Sequence, residues 1–167
     1  MSVSLKLVLG LPPQWARLEP LRAAVGGCVS VACSDLDQQN AMAMTVVELT
    51  ENAIKYGSTE GNVVTVSLFD EGGDVVVEVS SHVGNPAMST RLLERIDWIE
   101  SFPSPTDAYA AAIMAVEDAA GRAPAEAPSS GLGLARIVYE GGCRLSARVE
   151  GQLVTVRARL PLPTATA

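Results

Sequence analysis

Residues Glu48–Tyr56, with the sequence ELTENAIKY, carry the clearest indication of the fold. Glu48, Asn52 and Lys55 stand at positions i, i+4 and i+7, so a helix places them on one face. Asn52 offers a neutral oxygen for a hard cation such as Mg²⁺. Glu48 can orient or deprotonate a nucleophile, and Lys55 can meet a phosphate as a point charge. The alternative interpretation of the same pattern is a solvated polar stripe on a helix surface.

A second segment, Ser129–Leu134, has the sequence SSGLGL and leads into a predicted helix at 131–140, whose first residues it shares. Glycines let a backbone approach a ligand closely, and the free N–H groups of the following helix attract an anion. The same pattern is also consistent with a flexible loop that caps a helix. Arg136, one turn into that helix, can either reach a phosphate or lie on the surface.

The remaining sequence predicts the elements around these two segments. Alternation of apolar and polar residues predicts strands at about 3–9, 64–69, 75–80, 143–150 and 154–160; helical spacing predicts helices at about 14–26, 34–56, 88–101, 106–120 and 131–140. Gly26 and Gly27 are expected to stop the first helix, and 121–128 reads as a loop. We predict one α/β domain over 1–167, a two-layer sandwich with helices on one face of a mostly antiparallel sheet.

The two segments and their order resemble the GHKL superfamily of histidine-kinase-like ATPases, which includes gyrase, Hsp90, histidine kinases and MutL. The N-box pattern E-x-x-x-N-A-x-K-[YFH] is matched by Glu48, Asn52, Ala53, Lys55 and Tyr56, and the G2-box pattern G-x-G-L by Gly131, Gly133 and Leu134. The resemblance covers about residues 30–160. It implies a Bergerat fold that binds ATP and Mg²⁺, with a lid-like insertion at about 84–130.

The resemblance also implies roles for individual residues. Glu48 is expected to act as the general base and Asn52 to bind Mg²⁺. The expected nucleotide-binding residues are Asn52, Lys55, Ser80, Gly84, Ser130, Gly131, Leu132, Gly133 and Leu134.

The chain departs from the family at the G1 box, D-x-G-x-G, whose Asp binds the adenine amino group. The corresponding stretch, 79–86, reads VSSHVGNP. Aligning Gly84 with the second family glycine puts Ser80 at the Asp position and His82 at the first glycine. Ser80 can hydrogen-bond a purine directly or through water, but loss of the charge-assisted bond costs about 1.5–3 kcal/mol of binding. The role of His82, the only histidine, stays open between ligand contact, base, phosphoacceptor and solvated turn residue.

Composition limits the partners and the compartment. The net charge of −7 argues against a nucleic-acid-binding surface. No apolar stretch reaches the roughly 20 residues that span a bilayer, and three scattered cysteines argue against a disulfide framework. We therefore expect a cytoplasmic protein that binds neither nucleic acid nor membrane.

Two functions remain open from the sequence. The small size is similar to that of anti-sigma-factor serine kinases and their switch relatives, a group in which homodimers are common. The first interpretation is an ATP-binding regulator that phosphorylates a serine or threonine of a small partner, such as an anti-sigma-factor antagonist. The second is a non-catalytic switch or scaffold with weak or lost nucleotide binding, which the altered G1 box favours.

Overall fold

A computed structural model describes residues 5–58, 61–119 and 131–161. Its elements are β1 (Lys6–Leu11), α1 (Leu18–Ala32), α2 (Leu36–Tyr56), β2 (Val64–Glu71), β3 (Asp74–His82), α3 (Pro86–Glu100), α4 (Pro105–Ala119), α5 (Leu132–Tyr139), β4 (Arg144–Glu150) and β5 (Leu153–Pro161). Each predicted strand and helix is present, with ends that shift by a few residues. The loop predicted at 121–128 lies outside the described residues.

The five strands form one antiparallel sheet in the order β1-β2-β3-β5-β4. Leu68, Val77 and Ala158 are cross-strand partners in its centre, and all three are fully buried beneath the helices. On the opposite face Glu78 pairs with Arg157 at 3.6 Å. One apolar face and one polar face confirm the two-layer α/β sandwich.

Helix α2 is the central helix of the second layer. The Asp35 side chain caps its start by accepting bonds from the N–H groups of Asp37 and Gln38, at 2.9 and 3.2 Å. The helix ends at Gly57, whose φ of −72° any residue adopts. Glycine is needed there for space, because an added Cβ would meet the Ala53 carbonyl oxygen and lie 2.8 Å from the Asn62 amide nitrogen.

The prediction that Gly26 and Gly27 stop the first helix is wrong. Helix α1 continues through both glycines to Ala32. Val25 and Val29 lie on either side of the pair and are fully buried, so the apolar face of the helix is continuous across it. Packing of that face outweighs the helix-propensity cost of about 1 kcal/mol for each glycine.

Within the lid-like insertion predicted at about 84–130, residues 86–119 pack against the rest of the helix layer and the sheet. Glu100 of α3 accepts a hydrogen bond from the Leu145 N–H of β4 at 2.8 Å. Tyr109 of α4 stacks on Tyr139 of α5 with ring centroids 4.8 Å apart. The rest of the predicted lid, 120–130, lies outside the described residues. Over the described ranges, no helix has the length and apolar character to cross a membrane.

Candidate functional site

A pocket opens between α2, α3, the start of α5 and the helix-covered face of β3 and β5; we call it the α2–α3 pocket. The space around its lining, with open solvent included, is about 710 Å³. Its floor is apolar and includes Leu49, Val79, Leu134 and Val156. Such a floor suits a flat, weakly polar ring system.

The polar groups that line this pocket are Asn52, Tyr56, Ser81, Ser89, Arg91 and Arg95. Two of them are arginines, and within the described part of the chain neither Asp nor Glu contributes to the lining. The pocket therefore carries positive charge in a protein whose net charge is −7.

Asn52 lies on α2 and lines the pocket. Its amide Nδ2 is buried and has no hydrogen-bond partner among the described residues. A buried donor without a partner costs about 1–3 kcal/mol, so native proteins rarely keep one without a reason. A bound acceptor would satisfy it.

Glu48 lies one turn before Asn52 but does not line the pocket. Its Oε1 accepts a bond from Nη1 of Arg136 at 3.1 Å, and the Glu48 side chain is 19% exposed. Its Oε2 would lie 2.5 Å from a Cβ at Gly133. The two motifs therefore meet in space, with Glu48 turned toward α5.

Lys55 is not where the helical spacing placed it. Its side chain is exposed, and its Nζ lies 5.1 Å from the ring centroid of the adjacent Tyr56. Lys55 stands in the last turn of α2, where a long flexible side chain reaches solvent. It does not line the α2–α3 pocket.

The placement predicted for Ser80 is wrong by one residue. Strand β3 continues to His82, so alternate side chains point to opposite faces and Ser81, 5% exposed, lines the pocket. The Ser80 hydroxyl lies on the other face of the sheet, 2.8 Å from the Thr155 hydroxyl. Gly84 is exposed and does not line the pocket, whereas Val83 does.

His82 also faces away from the pocket and is exposed. Its backbone carbonyl accepts a bond from the Ser58 N–H at 2.7 Å, and its own N–H donates to Oδ1 of Asn62 at 3.0 Å. These bonds join the end of β3 to the segment between α2 and β2.

The glycine segment is described from Gly131 onward, and Ser130 lies outside the described residues. Gly131 has a φ of +51° and lines the pocket together with Leu134, while Leu132 and Gly133 do not. A Cβ at Gly131 would lie 2.9 Å from Cζ and Nη2 of Arg95. Only glycine therefore allows the Arg95 guanidinium to approach the start of α5 so closely.

Sequence reasoning missed Arg91 and Arg95, which line the pocket from α3 at i, i+4 spacing; Arg91 is exposed at its edge and Arg95 is half-buried. The Arg95 guanidinium lies over the Trp98 ring, 4.2 Å from its centroid. Burial lowers the pKa of Arg95 from its ordinary value, because desolvation disfavours the charged form. The i, i+4 pair was the signal available in the sequence, but neither family motif includes it.

A second, polar cleft lies between α1, α2 and α5 and is lined by Arg22, Asp37, Asn40, Met44, Arg136 and Glu140. Arg136 bonds Glu140 at 2.8 Å as well as Glu48, and these carboxylates raise the pKa of Arg136. Met44, Glu48 and Asn52 follow one another at four-residue intervals along α2. The Glu48–Arg136 pair therefore separates the polar cleft from the α2–α3 pocket.

Comparisons with known proteins bear on the fold. A chain in the crystal structure of the SiaB–SiaC complex from Pseudomonas aeruginosa aligns with a TM-score of 0.69 and 20% identity, over 95% of this chain and 92% of that one. The histidine kinase domain of a blue-light-activated histidine kinase from Erythrobacter litoralis aligns with a TM-score of 0.47 and 15% identity, over 88% of this chain and 60% of that one.

No protein-family model and no curated protein sequence matches the chain. The predicted fold is nevertheless confirmed. The chain is an open α/β sandwich that shares its fold with a chain of the SiaB–SiaC complex, and its two motifs lie on adjoining helices.

Proposed function

We propose that this chain is a nucleotide-binding regulatory protein that takes ATP in the α2–α3 pocket and acts through a protein partner. The observation that carries the proposal is the buried Nδ2 of Asn52, which has no partner in the part of the chain that the structure describes and belongs to a residue on the wall of a largely apolar pocket bordered by Gly131. An apolar floor for a ring and a donor for an anionic group are what a nucleotide requires.

The residues that line the pocket fit ATP, with a serine in place of the G1-box carboxylate. The purine would lie on the apolar floor, and Ser81 would take the hydrogen-bonding position that the sequence alignment gave to Ser80. Asn52 would hold Mg²⁺ through its oxygen or a phosphate through its nitrogen. Because a serine replaces the carboxylate, we expect ATP to bind about 10- to 100-fold more weakly than at a site with that charge-assisted bond.

The protein partner is supported by the SiaB–SiaC complex. A chain in that complex shares this fold over nearly its full length, and the crystal structure contains two differently named proteins. We extend that arrangement to this chain, with the partner's identity left to experiment. A serine or threonine of the partner would receive the phosphoryl group that ATP supplies.

Glu48 separates the kinase form of this proposal from the non-catalytic form. In the kinase form, Glu48 would accept the proton of the partner's hydroxyl group. One observation favours a non-catalytic switch, namely that Arg136 binds the Glu48 carboxylate outside the α2–α3 pocket. Phosphoryl transfer from labelled ATP to a co-purified partner, with Glu48→Gln as the comparison, separates the two forms.

Isothermal titration with Mg²⁺ and ATP tests nucleotide binding itself. We expect heat for the unmodified chain and none for Asn52→Leu, because the leucine removes the only polar group of that side chain. Tyr56→Phe is the matched control on the same pocket wall, since it keeps the ring and removes a hydroxyl that the proposal does not use. The absence of heat for the unmodified chain at millimolar ATP would refute nucleotide binding. The non-catalytic switch would then be the remaining function.

A further inference from the structure

We propose that Arg91 and Arg95 of α3 bind the phosphate chain of the ligand, and that Lys55 has no part in this. The inference rests on the proposed function and assigns its phosphate site to two residues outside both sequence motifs.

The first support is the sign of the charge. The chain carries 19 acidic and 12 basic residues, yet the described lining of the α2–α3 pocket includes two arginines and no acidic residue. Charges at a partly desolvated site interact more strongly than at the surface. The pocket therefore favours an anion over a neutral or cationic ligand.

The second support is the position of Arg95. Its guanidinium lies between the Trp98 ring and the start of α5 at Gly131, so it is held in place before a ligand arrives. A planar guanidinium matches two phosphate oxygens at once. The N–H groups at the start of α5 add to the same attraction.

The third support is that the other donors converge on the same pocket. Asn52, whose Nδ2 has no partner within residues 5–58, 61–119 and 131–161, and Arg91 line it together with Arg95 and Gly131. These groups come from α2, α3 and the start of α5. A chain of phosphates can contact all three elements, whereas a single small anion contacts only part of the set.

Lys55 lacks the geometry for this role. Its ammonium is exposed over the ring of Tyr56, and Lys55 itself does not line the pocket. The cation supplied by the N-box pattern is therefore replaced here by cations from α3.

The ligand class follows from this assignment. Affinity should rise with the number of phosphates, from adenosine through AMP and ADP to ATP. The apolar floor should give adenosine a small affinity of its own, which does not depend on the arginines.

The test is a titration series with adenosine, AMP, ADP and ATP on the unmodified chain, Arg91→Met, Arg95→Met, the double variant and Lys55→Met. Methionine keeps the length and apolar stem of each side chain. We expect each arginine variant to weaken ATP binding by roughly 10-fold or more and adenosine binding little, as expected for loss of a charge-assisted bond. Lys55→Met should change neither. Circular dichroism confirms that each variant is folded.

Two results would overturn the inference. One is an unchanged ATP affinity in the double variant, and the other is a large loss in Lys55→Met with none in the arginine variants. If the unmodified chain binds no nucleotide, the proposed function fails, and inorganic triphosphate then tests the anion site alone. Triphosphate binding that disappears in the double variant supports the arginine assignment, and no triphosphate binding overturns it.

Discussion

Arg136 of α5 donates a hydrogen bond to Glu48 of α2 across 3.1 Å and bonds Glu140 of its own helix at 2.8 Å. The bond joins the helices that carry the two sequence motifs. It also fixes the direction of the Glu48 carboxylate, which points to α5 and away from the α2–α3 pocket.

Arg136→Met should lower the free energy of unfolding by about 0.5–1 kcal/mol, the upper range for ion pairs that are partly open to solvent. The Arg136 side chain is 43% exposed, which limits the effect. Urea denaturation of Arg136→Met, Glu48→Gln and the double variant measures the coupling between the two residues. Arg148→Met is the control, because Arg148 pairs only loosely with Glu150 of its own strand, at 3.6 Å. Additive effects of the two substitutions would contradict the coupling.

Glu51→Gln should stabilise the protein at neutral pH. Burial, followed by the nearby Glu48 carboxylate, raises the pKa of Glu51 above its ordinary 4.5 in the folded state. The ionised carboxylate is therefore less favourable in the folded chain than in the unfolded chain. That penalty is present above the raised pKa and disappears as the pH falls to about 4.5 and below.

The measurement is thermal unfolding of Glu51→Gln and the unmodified chain at pH 7 and pH 4. We expect a gain of less than about 1 kcal/mol at pH 7, since the group is only half-buried and solvent screens its charge, and no gain at pH 4. Glu117→Gln on the exposed side of α4 is the control. An equal gain at both pH values would show that ionisation is not the cause.

Gly131→Ala should destabilise the protein by more than the strain of its backbone alone. An alanine at φ +51° costs about 1 kcal/mol, and its Cβ would also collide with Arg95. Gly151→Ala is the matched control, with a φ of +63° and no atom within 4 Å of the added Cβ. Chemical denaturation should show a larger loss for Gly131→Ala, and Arg95→Ala in the same chain should remove the excess. Equal losses at the two glycines would refute the close contact.

Gly27→Ala should raise the free energy of unfolding by about 0.5–1 kcal/mol, because Gly27 lies inside α1 and an added Cβ meets nothing within 4 Å. Gly57→Ala should do the opposite, because its Cβ would meet the Ala53 carbonyl oxygen at the end of α2. Each variant adds one methyl group to the unmodified chain. The free energies of unfolding of the two variants are compared by urea denaturation. A stabilised Gly57→Ala would show that the α2 terminus can shift to admit a side chain.

Much of the fold could be predicted because the spacing of apolar residues along the sequence indicates which side of each strand or helix is buried. The strands that contain Leu68, Val77 and Ala158 alternate as a sheet with one covered face must. The end of a strand is less well determined by sequence. Ser80 was placed by aligning Gly84 with the second glycine of the G1 box, and because neighbouring strand residues point to opposite faces, that one-residue error selected the wrong serine.

The parts that sequence reasoning missed depend on contacts between distant segments. Gly26 and Gly27 are read locally as a helix stop, but packing of Val25 and Val29 keeps α1 intact. Arg95 is one of several charged residues on α3, and only the docking of α3 against α5 turns it toward Gly131. Neither result follows from spacing alone.

The Trp98 ring beneath the Arg95 guanidinium makes intrinsic tryptophan fluorescence a probe of this site. The chain has two tryptophans, and the other, Trp15, is 56% exposed before α1. Replacing Trp15 with phenylalanine leaves a single indole whose emission depends on the cation stacked on it. Any event that draws that cation from the ring would then be visible as a change in fluorescence, without a label and on the millisecond scale of stopped-flow mixing.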